Sequence, residues 1–261
     1  MKISEILRFL DGIAPLKTAE SFDNVGLLIG SENTEISRVM CCLDITREVI
    51  LEAAEKGAEL IVSHHPVIFG GLKNIPEWSP VRLLIEKNIS AIAMHTNFDI
   101  ADGGVNDTLI EALGFEKLET LEITQPDGKG FGAVCRLPEE LTARELAGLC
   151  RKALNPGCVK FSAGKFESEY TIKRAAVCCG AGIDENVMRL AREKRCDAII
   201  SGDIKHNFWI EAENCGMALV DAGHFGTEIA AKKVLAKMLS DKFSKLSVII
   251  SENEINPCSY I

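Results

Sequence analysis

Ser63-His64-His65-Pro66 sets two imidazoles side by side where the apolar run Leu60-Ile61-Val62 ends. Neutral imidazole is the commonest side-chain ligand for borderline divalent metals. Successive side chains on a regular strand point to opposite faces. Adjacent histidines therefore serve one site only where the strand has ended, or where each meets a different ion. Pro66 favours the first case, because it biases His65 toward an extended turn. A lone His-His pair would more simply be one core ring and one solvated ring. The wider pattern argues otherwise. The five histidines, His64, His65, His95, His206 and His224, each lie at or within a few residues of the end of a short apolar run.

Carboxylates recur at a fixed spacing from two of these rings. Asp99 follows His95 by four residues, and Glu228 follows His224 by four. Residues four apart share a helix face. A helix is expected from His224, whereas Asn97 and the glycines after it predict a loop at 95–99. Three imidazoles (His64, His65, His224) and two carboxylates (Asp99, Glu228) exceed the three protein ligands of a catalytic zinc. Two divalent ions sharing the set fit better, and such pairs activate water against phosphoryl or amide-like centres. His95 and Asp221 are candidates for orienting ligands or moving protons, with Glu228 a second proton carrier. His206 with Asp203 lines the cleft or is structural. The mixed N/O set accepts Zn, Mn, Fe, Ni or Co.

The elements that must position these residues read as strands alternating with helices. Residues 3–11 carry Ile3, Ile6, Leu7 and Leu10 on one face of a helix. A strand Arg38–Leu43 ends at Asp44, a helix spans about 46–56, and the His-His strand follows. Residues 67–79, with Gly70-Gly71, Pro76 and Trp78, are irregular and suit a flap beside the histidines. A helix near 79–87 leads to the strand Ala91–Met94, which ends at His95. A strand at 131–137 and a helix at 142–154 come next. The first pattern then returns: Val177-Cys178-Cys179 aligns with Val39-Met40-Cys41, Ile199-Ile200-Ser201 with Ile61-Val62-Ser63, and Met217–Asp221 with Ala91–His95. Two α/β halves of related topology follow, 1–125 and 126–261, each with a parallel sheet. In such sheets ligands bind outside the carboxyl ends of the strands. Asp23-Asn24 is either turn chemistry or part of the site. The turn Cys179-Gly180-Ala181-Gly182 lacks a full phosphate-binding fingerprint and reads as strand-to-helix packing.

Net charge is −9, which argues against non-specific nucleic-acid binding, since that requires phosphate neutralisation. Net charge says nothing against a small phosphorylated ligand in a local pocket. Ten cysteines without a C-x-x-C pair read as reduced thiols packed as small hydrophobes, and hence a cytoplasmic protein. No apolar run approaches the ~20 residues of a membrane helix.

Ser63-His64-His65-Pro66, His95-Thr96-Asn97-Phe98-Asp99 and His224-Phe225-Gly226-Thr227-Glu228 together resemble the Nif-three-like family, many of whose members carry the name GTP cyclohydrolase 1 type 2 homolog. Ser21-Phe22-Asp23-Asn24-Val25-Gly26-Leu27 resembles that family's N-terminal signature, with Phe22 where Trp is usual. Ser201-Gly202-Asp203 with His206 also fits. The resemblance implies two associated α/β domains, a dinuclear divalent site in the cleft between them, and a toroidal homohexamer. Its ligands would be His64, His65, Asp99, His224 and Glu228. Two function classes follow: a metal-dependent hydrolase acting on a nucleotide or related small molecule, as a cyclohydrolase or phosphoesterase, or a non-catalytic carrier, sensor or scaffold.

Overall fold

The computed structural model describes residues 1–166 and 170–259. In chain order the elements are α1 (Ile3–Ile13), β1 (Gly26–Ile29), β2 (Arg38–Cys42), α2 (Arg47–Glu55), β3 (Leu60–Ser63), α3 (Pro80–Glu86), β4 (Ser90–Ala93) and α4 (Thr96–Asp99). There follow α5 (Val105–Leu113), β5 (Glu116–Ile123), β6 (Gly130–Leu141), α6 (Ala143–Leu154), β7 (Lys160–Ser162), β8 (Ile172–Val177), α7 (Glu185–Glu193) and β9 (Ala198–Ser201). Then come α8 (His206–Cys215), β10 (Ala218–Asp221), α9 (His224–Glu228), α10 (Ala231–Lys242) and β11 (Ser247–Ile250). The fold is mixed α/β with two sheets, as the alternation of elements predicts.

Two compact units share this chain. The first comprises Met1–Gly104 and Ala230–Ile255; the second comprises Val105–Ile229 and the chain from Asn256. This differs from the expected division near 125. The reason is strand pairing: β11 runs parallel to β2 and ties the segment Ala230–Ile255 to the first sheet, while β5 pairs with β6 in the second. The letters around residue 125 carry no sign of either pairing.

The first sheet has the order β1-β4-β3-β2-β11, and β2, β3 and β4 are mutually parallel. All of β3 and β4 is buried, and so is β2 beyond Arg38. That accounts for their continuous apolar runs, because a parallel sheet is covered on both faces. Met40, Ile61 and Ala91 pack with Val49, Ile50 and Leu84 from α2 and α3 in one cluster. Ile3, Ile6 and Leu10 of α1 are fully buried, at the expected helical spacing. The second sheet has the order β5-β6-β8-β9-β10-β7, with β8, β9 and β10 parallel. The repeated order of elements therefore holds in both units. The letter-for-letter alignment slips by two residues: ladder register sets Asp221 opposite Ser201 as Ala93 lies opposite Ser63, so Asp221 corresponds to Ala93, not His95. Cys41, Cys42, Cys135, Cys150, Cys178 and Cys196 are buried, and burial pushes the Cys135 thiol up to about 12. No helix among the described residues is long and apolar enough to cross a membrane.

A buried carboxylate closes the first unit. Glu52 of α2 accepts from the Ser251 hydroxyl at 2.7 Å and from the Glu252 and Asn253 amides at 3.0 and 3.2 Å, and pairs with Lys56 at 2.7 Å. Burial alone would raise its pKa; these hydrogen bonds outweigh it and lower the group from 4.5 to about 2. The carboxylate's stabilisation is thus complete above pH 4.5 and is lost as pH falls through about 2. Glu52→Gln should cost about 1–3 kcal/mol at pH 7. Urea unfolding at pH 7 and pH 3 should show the gap between wild type and variant narrowing at the lower pH.

Candidate functional site

Parallel strands put their carboxyl ends at one edge, and in the first unit that edge gathers the histidines. β3 ends at Ser63, so His64 and His65 lie beyond the regular strand. The Ser63 hydroxyl donates to the His65 carbonyl at 2.7 Å and shapes the bend. The two rings end 5.0 Å apart, so both address one locality despite being adjacent. His95 follows β4, and its ring lies 5.2 Å from His64 and 5.5 Å from His65. One ring nitrogen from each of the three falls within 4.8 Å of the others. His95 therefore lies in the same cluster as the two adjacent rings, close enough to act on whatever they hold.

Asp99 reaches the same group by a route the sequence reading missed. Residues Thr96–Asp99 form a short helix, not the expected loop. The Asn97 amide group donates to Ala14 O at 2.7 Å, and its oxygen accepts from the His95 amide at 3.0 Å, so this residue nucleates the turn it was expected to break. Asp99 Oδ1 lies 3.5 Å from His64 Nε2.

What lies behind the rings fixes their chemistry. His64 Nδ1 meets the Met94 carbonyl at 2.8 Å, His65 Nδ1 meets Asp44 at 2.7 Å, and His95 Nδ1 meets Asp23 at 2.9 Å. An acceptor at Nδ1 holds the proton there and turns the Nε2 lone pair outward. Asp23 settles the open question about Asp23-Asn24: its other oxygen accepts from the Thr96 hydroxyl at 2.5 Å and the Thr96 amide at 3.0 Å. Burial raises this carboxyl, but the His95 and Thr96 hydrogen bonds prevail and lower it to about 2. Asn24 holds the irregular 67–79 segment through the Ile68 carbonyl at 2.7 Å, and Phe69 of that segment sits edge-on to His95 at 5.4 Å.

The second unit repeats the arrangement with one ring. His224 and Glu228 bound α9, and His224 Nε2 lies 2.9 Å from Glu228 Oε2. Asp203 takes His224 Nδ1 at 2.9 Å, so its partner is His224 rather than His206. Asp221 faces no ligand ring. It accepts from the Gly223 amide at 3.0 Å and pairs with Lys160 at 2.8 Å, which braces the loop into α9. Gly180 seats the carboxylate. A Cβ there would meet Glu228 Oε1 at 2.1 Å, and its φ of +55° suits glycine. The Gly180 amide also donates to Thr227 Oγ1 at 3.0 Å. The turn lets the backbone approach Glu228 closely, which the letters did not disclose.

The donor set fits divalent metal. With metal–ligand bonds of ~2.1 Å, two ligand atoms sharing one ion stand about 3.0 Å apart at a right angle and about 3.4 Å apart at the tetrahedral angle. The His224–Glu228 and His64–Asp99 separations of 2.9 and 3.5 Å match these. These groups could hold metal ions.

The sequence model of the Duf34/NIF3 (NGG1p interacting factor 3) family matches residues 1–257. A Clostridium perfringens protein named GTP cyclohydrolase 1 type 2 homolog is 34% identical over 267 residues, covering 100% of both chains. A Staphylococcus aureus hypothetical protein of known crystal structure is 29% identical, with a TM-score of 0.87 over 100% of this chain and 99% of that one. A Bacillus cereus protein related to NIF3 shares the fold at a TM-score of 0.92 and 22% identity, over 100% of this chain and 99% of that one.

Gly180→Ala tests the second ligand pair. The added methyl must displace the Glu228 carboxylate, so divalent-metal affinity should fall at least tenfold, on the scale of losing a supporting contact. Calorimetric titration of chelator-stripped protein with Mn²⁺ would measure it; unchanged affinity would show that Glu228 is not held there for metal.

Proposed function

The chain belongs to the Duf34/NIF3 family, and on that premise we propose that it is a metal-dependent hydrolase acting on a nucleotide or a related small molecule. It binds two divalent ions through His64, His65 and Asp99 of the first unit and His224 and Glu228 of the second. The observation that carries this reading is the uniform polarity of the rings: each candidate histidine gives its Nδ1 to a carboxylate or carbonyl and keeps Nε2 for a cation. The name of the C. perfringens relative supports a nucleotide as the substrate class.

When bound, the metal supplies acidified water and neutralises charge developing on the substrate. The chain's own groups do the rest. Asp23 stays ionised, holds His95 with its proton on Nδ1, and stabilises the ring when Nε2 takes up a second proton. His95 is thereby the group that moves protons to and from water or the leaving group. Glu228, 3% exposed, is the second such group, beside the His224 ring. Phe69 is half-exposed beside His95 and offers a face on which a purine can stack. A cytoplasmic homohexamer belongs to the same reading.

The test joins metal content to turnover on one preparation. Protein loaded with Zn, Mn, Fe, Ni or Co is analysed for metals per chain, then incubated with GTP and a panel of phosphoesters followed by chromatography. We expect two metals per chain and product formation that vanishes in Glu228→Gln. Two metals with turnover no greater than the variant's would make the protein a carrier, sensor or scaffold. Less than one metal per chain after loading would remove the site assignment. Light scattering on the same sample should give six chains per particle.

A further inference from the structure

We infer that Glu254, near the chain's end, is a positioning residue for the first unit's histidine group, acting through Asp44 on His65. This rests on the reading of His65 as a metal ligand. Glu254 Oε1 accepts from two consecutive amides, Leu43 at 2.7 Å and Asp44 at 2.6 Å. Those residues form the loop leaving β2. The same dipeptide faces His65 on its other side: the Leu43 carbonyl accepts from the His65 amide at 2.9 Å, and Asp44 Oδ1 meets His65 Nδ1 at 2.7 Å. The Asp44 side chain is 43% exposed, so packing does little to hold it, and the anchor lies in its backbone.

Glu254 is itself fixed. Its side chain is 1% exposed, and Oε2 pairs at 3.0 Å with Lys232 of α10. Lys232 also donates to the Ser251 carbonyl at 2.9 Å. Tethering the chain end does not require this arrangement, since Glu52 already binds Ser251, Glu252 and Asn253. A second buried ion pair carries a desolvation penalty that an apolar residue would avoid. What an apolar residue could not do is orient two adjacent peptide N–H groups at the Asp44 loop. Glu254, Leu43–Asp44 and His65 thus form one relay, from the segment after β11 to a ring of the site.

The experiment uses the full chain, ¹⁵N-labelled at histidine and stripped of metal. Ring nitrogen shifts report the His65 tautomer directly, without metal or substrate, and Co²⁺ titration then reports affinity. Wild type should show His65 protonated at Nδ1. Glu254→Ala should move His65 to a tautomer mixture, as Asp44→Asn should, and weaken Co²⁺ binding roughly 10–100-fold. Glu254→Gln, which keeps an oxygen for the two amides, should recover most of the wild-type shifts. Ile50→Val, a core truncation in α2, controls for stability and should leave the tautomer unchanged. If Glu254→Ala does not fold, Glu254→Asp, too short to reach both amides, replaces it. Wild-type His65 shifts in the Glu254 variant, with only its unfolding midpoint lowered, would overturn the inference. Should wild type take up no Co²⁺, the reading of His65 as a ligand fails, and the nitrogen shifts alone still decide whether Glu254 positions the ring.

Discussion

A neutral imidazole has one donor and one acceptor, and burying it means committing both. The structure depends on how that commitment is made. His64, His65, His95 and His224 all spend Nδ1 on the protein, on Met94 O, Asp44, Asp23 and Asp203 respectively. The fold therefore has to supply an acceptor behind each ring. Met94 and Asp44 lie just past the ends of β4 and β2, on either side of β3, whose end carries His64 and His65. Asp203 lies just past β9, beside the β10 that leads to His224. Parallel neighbours end at the same edge, so each strand's exit can hold its neighbour's ring. An antiparallel neighbour offers the start of a strand there instead, and His95 uses that route, since Asp23 lies just before β1, which runs antiparallel to β4.

This dependence explains what was legible in the sequence. The buried parallel strands announced themselves as continuous apolar runs, and their ends were marked by His64-His65, His95 and Asp221. The two-unit α/β plan and the positions of the helices followed from the alternation of those runs with amphipathic stretches. The i, i+4 spacing of His224 and Glu228 was readable because a helix converts it directly into proximity. The same spacing at His95 and Asp99 reads as a loop in the letters and is a short helix in the structure. Asn97 has a poor intrinsic helix preference, but here its side chain binds Ala14 O, 83 residues away, and that tertiary bond outweighs propensity.

The remaining features were hidden for one reason: they are single contacts across long separations, with no local pattern. Glu254 meets Leu43 across 211 residues, and Asp23 meets His95 across 72. Gly180 read as a packing turn because the Glu228 carboxylate that fills its missing side chain is 48 positions on. The two-residue slip between the repeats has the same origin. Letters can be aligned at either register, and only the ladder decides that Asp221 corresponds to Ala93. Asp221 is thereby freed to brace the Gly223 amide rather than to serve a ring.

The carboxylates behind the rings also set the order of events at the proposed site. Asp23, held at about 2, is anionic at any physiological pH, Asp99 stands beside the His64 ring, and Glu228 stands beside the His224 ring. In a chain of net charge −9 such a site attracts cations twice over, by lone pairs and by field. It repels phosphate equally well. A bound divalent ion is the largest local charge in such a site and reverses that potential. A nucleotide substrate, as proposed, would therefore meet a favourable field only after metal has loaded. The features that orient the rings for metal would make metal loading the gate for an anionic substrate, with no moving part required.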